Sequence, residues 1–212
     1  MTPPDLAYGH RVNAVIPLAL LQTIRLLDRT DPVDLEEYAS EVAPRRLGMS
    51  ATVAAQIERY QRHVKRGGDV AAEDVRQLFR LVARRNDAQL AFSHAGRLAA
   101  RRAQESSSLG GRLVYRVTPA AARARFGLNL ANRAAQRAFG ASLWRNTNGG
   151  IVAVVGVPLA ASEAEAVWCG FFGAALAEVL RTYTEFDGAL EHSACIARGD
   201  AECRWESGVS AS

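Results

Sequence analysis

The stretch 189–207, ALEHSACIARGDAECRWES, decides how the carboxyl-terminal part of this chain is to be read. It holds His192, Cys195 and Cys203. The only other cysteine is Cys169, which gives the spacing Cys-(22)-His-(2)-Cys-(7)-Cys. Thiolate and neutral imidazole match the borderline-soft character of zinc. A chain with three cysteines and four histidines has no packing reason to gather them in one region. Two other readings stand beside a metal site. One is a set of small buried apolar side chains, as free cysteines often are. The other is a disulfide: 189–197 and 201–207 read as strands of a β-hairpin joined by Arg198-Gly199-Asp200, which sets Cys195 opposite Cys203 on one face. The amino end, MTPPD, lacks the basic region and apolar core of a secretory signal, so a cytoplasmic location is expected. Thiols there stay reduced, and an odd cysteine count leaves one unpaired. Zinc is the favoured reading.

His192 and Cys195 are three apart and would point to opposite faces of a regular strand. A bulge, or a strand beginning only after His192, is needed to bring both to one ion. Glu191 is the neighbour that could serve instead.

The 212 residues are enough for a substantial core and are read as one domain, with a helical lobe over 1–107. Hydrophobic content of 49% and charged content of 23% are ordinary for a globular protein. The net charge of +4 invites a nucleic-acid reading, which the pattern opposes. Lys65 is the sole lysine among 26 basic residues, and the arginines are spread among acids along helices. The densest group (Arg80, Arg84, Arg85, Arg97, Arg101, Arg102) has no interleaved aromatics and reads as a solvated helix face. No membrane span is expected, since Asn13, Pro17, Gln22, Thr23 and Arg25 interrupt the apolar stretch 12–27.

Val12, Ile16, Leu20, Ile24 and Leu27 recur at helical spacing, ending at Asp31-Pro32. Ser50 caps a predicted helix to Lys65, stopped by Gly67-Gly68. Alanine-rich helices follow over 71–85 and 87–104, and 106–111 marks a boundary. The second half predicts a strand over 112–117, a helix over 120–139, and strands over 142–145 and 151–157 joined by a turn at 146–150. A long helix capped by Ser162 runs to about Thr182, placing Cys169 two turns inside it. The fold class is α+β: an N-terminal helical lobe, then a small antiparallel sheet packed with helices. A zinc would pin the long helix to the terminal hairpin.

No catalytic constellation competes with this. There is no Gly-rich phosphate loop and no nucleophile elbow, and His10, His63 and His94 have no evident partners. Trp168, Phe171 and Phe172 flank Cys169 and serve the core or line a cavity. A ligand cavity between the long helix and the sheet would be lined by Trp144, Ile151, Phe171, Phe172 and Leu176, and would suit a small hydrophobic molecule.

Cys169, Gly173 and the run Cys195-Ile196-Ala197-Arg198-Gly199-Asp200-Ala201-Glu202-Cys203 resemble the 4-vinyl-reductase-like domain and its C-x-x-x-G-D-x-x-C ending. Its fold is shared with ligand-binding domains of nitric-oxide signalling and of Golgi transport-particle subunits. The resemblance covers roughly 112–205, within an α/β portion over 108–212. In phenol-responsive sensor domains of bacterial activators, these positions hold a structural zinc. Their second ligand is usually glutamate and falls on His192, which implies the set Cys169, His192, Cys195 and Cys203. Tyrosines of the phenol sensors are replaced here by Ala175 and Val179, and Trp144 lies four positions from their pocket tryptophan. The resemblance implies a zinc-stabilised, non-enzymatic sensor or carrier for a hydrophobic molecule. Without an attached ATPase or DNA-binding domain, its signal would leave through a partner. A tetrapyrrole-modifying enzyme or accessory subunit is the alternative, and a pure scaffold the third reading. A homodimer is also expected, because 12–27 is more apolar than a lone surface helix needs and family members pair through their helical portions.

Overall fold

The computed structural model describes residues 11–30, 50–105, 120–155 and 163–208. Strand β1 (Arg11–Asn13) leads into helix α1 (Val15–Thr30). The Asn13 side-chain oxygen accepts from the Val15 N–H at 2.9 Å, satisfying one of the donors a helix start leaves open. Pro17 falls in the first turn, where no intrahelical N–H is required. Ile16, Leu18, Leu20, Leu21 and Ile24 are at most 3% exposed. Helices α2 (Ala51–Lys65) and α4 (Ala88–Glu105) pack against α1. The apolar face of 12–27, the sequence argument for pairing with a second copy, is therefore covered within the chain.

Ser50 caps α2 by accepting from the Val53 N–H at 3.2 Å. Gly67 ends it with φ +64°, a conformation that side chains with a Cβ disfavour. The short strand β2 (Asp69–Ala71) pairs antiparallel with β1, and α3 (Ala72–Ala83) follows at once. Arg85 joins Asp28 at 2.8 Å and Asp87 at 2.7 Å, tying the end of α1 to the α3–α4 connection.

Helix α5 (Ala120–Phe139) delivers the chain to β3 (Ala141–Arg145) and β4 (Ile151–Val155). A 3₁₀ segment, Glu163–Trp168, runs directly into α6 (Cys169–Tyr183). Strand β5 (Glu191–Ala194), a 3₁₀ turn (Ile196–Arg198) and β6 (Cys203–Glu206) complete a four-stranded antiparallel sheet of order β3-β4-β6-β5. The architecture is α+β, with helices packed on a small sheet. Among the described residues, no helix is long and apolar enough to cross a membrane.

The most extensive contact between elements is α4 against α6. Ala91, Ala95 and Ala99 of α4 recur every four residues and are fully buried between the helix and its neighbours. Above them, Phe79 gathers Phe92, Trp168 and Phe171 at ring separations of 5.1–5.5 Å. These edge and tilted arrangements are the favoured ones for aromatic pairs.

Two expectations need correction. Cys169 opens the α-helix rather than lying two turns inside it, because the preceding segment winds as 3₁₀. The terminal strands are shorter than 189–197 and 201–207, since the chain leaves the ladder at Cys195 to make the 3₁₀ turn. Strand β4 is described over Ile151–Val155, and the last two residues of the expected 151–157 lie outside the described residues. The expected strand over 112–117, the breaks at 31–32 and 106–111, and the Ser162 cap lie outside the described residues.

Gly96 marks the tightest point of the α4–α6 contact. A Cβ there would overlap the Phe171 carbonyl oxygen and lie 3.1 Å from the Ala175 nitrogen. Gly96→Ala is expected to lower the unfolding free energy by about 2–3 kcal/mol, because backbone atoms must separate. At Gly170, where a Cβ meets nothing within 4 Å, alanine should leave stability level or raise it by under about 1 kcal/mol. Denaturant titration of the two variants checks the contrast.

Candidate metal centre

Four side chains converge where α6 begins and the β5–β6 hairpin folds over it. One ligand atom from each of Cys169, His192, Cys195 and Cys203 lies within 4.8 Å of the others. The Cys169 sulfur is 3.6 Å from that of Cys195 and 4.0 Å from that of Cys203. Sulfurs sharing a tetrahedral zinc at the usual bond length sit about 3.8 Å apart. A disulfide would bring them to about 2.0 Å, and all three cysteines are free. The three thiols are buried and the imidazole is half-buried.

The sheet register explains how His192 joins them. Trp205 pairs with Ala153 on one side and His192 on the other, and Cys203 pairs with Val155. Directly paired residues share a face, so Cys203, Trp205 and His192 all project inward. Ladder pairing then skips Ser193: His192 faces Trp205, but Ala194 faces Arg204. This bulge is the irregularity that the three-residue spacing requires, and it allows Cys195 to turn to the same side. Beyond it the chain is clasped at Cys195. The Asp200 carboxylate accepts from the Cys195 N–H at 2.6 Å, and the Cys195 carbonyl accepts from the Asp200 N–H at 3.1 Å. Gly199 makes this loop possible with φ +93°.

The electrostatics favour a cation. The Cys169 thiol donates to Cys203; that hydrogen bond, burial and the adjacent sulfurs hold its proton far above the usual thiol range. Cys203 moves the other way, lowered to about 5 chiefly by the hydrogen bond from Cys169, which outweighs its burial. The Ile196 N–H and Cys195 assist. Burial pushes the His192 pKa down, and Arg198 adds to this, keeping the imidazole in its neutral, ligating form. Its Nε2 is buried without a hydrogen-bond partner of regular geometry. An orphaned buried nitrogen beside a thiolate and two further sulfurs is what a four-coordinate metal would satisfy.

One aromatic supports the ring. The indole of Trp205 stacks on His192 with centroids 4.7 Å apart and planes 14° from parallel. Gly173 of α6 gives the indole its place: a Cβ there would lie 2.7 Å from Trp205 Nε1. Sequence reading had Gly173 as part of a motif and did not identify Trp205. Its signal was its place two residues after Cys203, on the same face of the strand.

Neither of the two hollows described below brings together the five residues expected to line a ligand cavity. Phe171 and Leu176 are fully buried, and Phe171 packs on Phe79, Phe139 and Phe172. Ile151 pairs with Arg145 on the inner face of the sheet, whereas Trp144 belongs to the opposite face and is 41% exposed. Phe172 borders a small hollow of about 150 Å³ next to β1 and α5. A larger trench of about 610 Å³ lies elsewhere, over α6 between α4 and β5, and both Cys169 and His192 border it. Its floor is Gly170, Gly173, Ala174 and Ala177. Small residues at i, i+3, i+4 and i+7 of one helix were the readable signal for it.

No family model, curated protein or solved structure matches the chain.

Gly173→Ala should push the Trp205 indole off α6 and unseat the His192 ring. Metal affinity is expected to fall by roughly 10–100-fold, the usual effect of disturbing a group that orients a metal ligand. Competition against a chromophoric chelator measures it. Unchanged affinity would show that the indole does not position the imidazole.

Proposed function

We propose that this chain is a zinc-stabilised small-molecule-binding domain, acting as a sensor or carrier rather than as an enzyme. The observation that carries this reading is the convergence of Cys169, His192, Cys195 and Cys203 within 4.8 Å beside a trench of ligand size. The donor set is three sulfurs and one imidazole nitrogen, which suits zinc above harder cations. Four protein ligands fill a tetrahedral shell and leave no position for substrate, the hallmark of a structural site. A bound zinc would neutralise the crowded thiolates and fasten α6 to the β5–β6 hairpin. The reading agrees with the resemblance to 4-vinyl-reductase-like domains carried by the run 195–203. A molecule held in the trench touches α4, α6 and the zinc hairpin together, so its presence can pass to a partner protein through those elements. A cytoplasmic setting, with its reduced thiols, belongs to the same proposal.

Protein purified without chelators is expected to carry one zinc per chain by elemental analysis. Removing it with a strong chelator should lower the melting temperature, since structural zinc binding is folding free energy on the order of 10 kcal/mol. Cys203→Ser should reduce solubility and lower the melting temperature by roughly 10 °C or more. Metal-free protein from such a preparation, with the same melting temperature as the serine variant, would overturn the proposal.

A further inference from the structure

We infer that the trench over α6 is the ligand site, and that its ligand is a small organic anion with a flat apolar body. This rests on the reading of the chain as a small-molecule-binding domain and adds the place and the chemical class.

The first argument is shape. Gly170, Gly173, Ala174 and Ala177 present one face of α6 almost without side chains. A helix normally covers such a face with a neighbouring element, as α6 does elsewhere against Gly96 of α4. Here the face borders a hollow of about 610 Å³, within the range of small-molecule sites. A Cβ built on Gly170 meets nothing within 4 Å, so the floor is open at that end, while the Trp205 indole lies against Gly173. Trp205 and Leu190 supply apolar wall. A thin, planar molecule fits a floor that lacks side chains better than a bulky one does.

The second argument is charge. Arg97 of α4 and Arg181 of α6 border the trench, and among the described residues no aspartate or glutamate lines it. Arg97 bonds the Ser93 hydroxyl at 3.0 Å, and Arg181 reaches the Gly188 carbonyl at 3.4 Å. Among the described residues, neither is paired with a carboxylate. One turn beyond Arg97, outside the trench, Arg101 is paired with Glu178 of α6 at 2.7 Å. The same two helices thus supply an acid to the arginine outside the trench and none to the arginines along it. Guanidinium groups offer planar, two-pronged donation suited to carboxylate or sulfonate oxygens, and a concave wall screens that attraction less than open solvent does.

The test uses the full chain and two fluorescent probes: 8-anilino-1-naphthalenesulfonate and its uncharged relative N-phenyl-1-naphthylamine. The anionic probe is expected to bind saturably, one per chain, and roughly tenfold more tightly than the neutral one. Arg97→Gln and Arg181→Gln should each weaken the anionic probe about tenfold and leave the neutral one unchanged. Gly170→Leu should abolish both, with an unchanged or higher melting temperature, because the new side chain fills open space. Equal affinity for the two probes, or binding that survives Gly170→Leu, overturns the inference. So does a change of oligomeric state in that variant, which would mean that a second copy covers the trench. Zinc content measured on each sample separates the two claims. One zinc per chain without a saturable probe site defeats the trench alone, and an intact probe response in zinc-free protein defeats the metal reading alone.

Discussion

Three buried sulfur atoms, held within 4.8 Å of one another and of an imidazole, set the terms for the carboxyl-terminal half of this protein. Each thiolate there repels the next, and a thiol is a poor donor with which to quiet its neighbour. Left to themselves the sulfurs divide unevenly: the hydrogen bond between them and burial push the Cys169 thiol up, and the same hydrogen bond draws the Cys203 thiol down. A divalent cation resolves the conflict by allowing all three to ionise around one centre of positive charge. A neighbouring group points the same way. The Asp200 carboxylate, itself an acidic group, is turned onto the Cys195 N–H.

The geometry that assembles the quartet comes from two departures from regularity rather than from regular elements. In an unbroken β5 the side chains of His192 and Cys195 would face opposite ways. The bulge at Ser193 removes that difference, and the left-handed Gly199 closes the loop that follows. The inner face of the sheet then runs Leu143, Ala153, Trp205, His192 across four paired strands. Trp205 is the link between sheet and helix in this row: one side of its environment is the His192 ring, another the bare backbone of Gly173.

Much of this was legible in the residues. The helix from Ser50 to Lys65 and the one over 120–139 follow from a capping serine, paired glycines and unbroken apolar periodicity. The turn at 146–150 follows from its asparagines and from Gly149, at φ +84°. The three cysteines follow from donor chemistry and spacing and the need for a bulge from strand parity, while the choice of His192 over Glu191 came from the resemblance of the run 195–203. What escaped was whatever depends on packing between distant segments. Periodicity does not distinguish the 3₁₀ turns before Cys169 from α-helix, so its place at the helix start was missed. Strands β1 and β2, three residues each, are too short to show alternation. The apolar face of α1 reads identically whether a second copy or helices α2 and α4 cover it. The role of Arg97 and Arg181 emerges only when two helices and an edge strand are set around the same hollow.

Cys195 and Cys203 share one hairpin, but Cys169 is 26 and 34 residues away from them along the chain. A metal joining all three closes a long loop containing α6 and its connection to β5, a constraint that weighs mainly on the unfolded chain. Synthesis from the amino end makes Cys169 first and Cys203 last of the four. Of these four residues, a chain emerging from the ribosome therefore carries Cys169 alone until the hairpin follows. A metal held by all four would have to wait for β6, and so would be captured only after α4 and α6 are both available to pack.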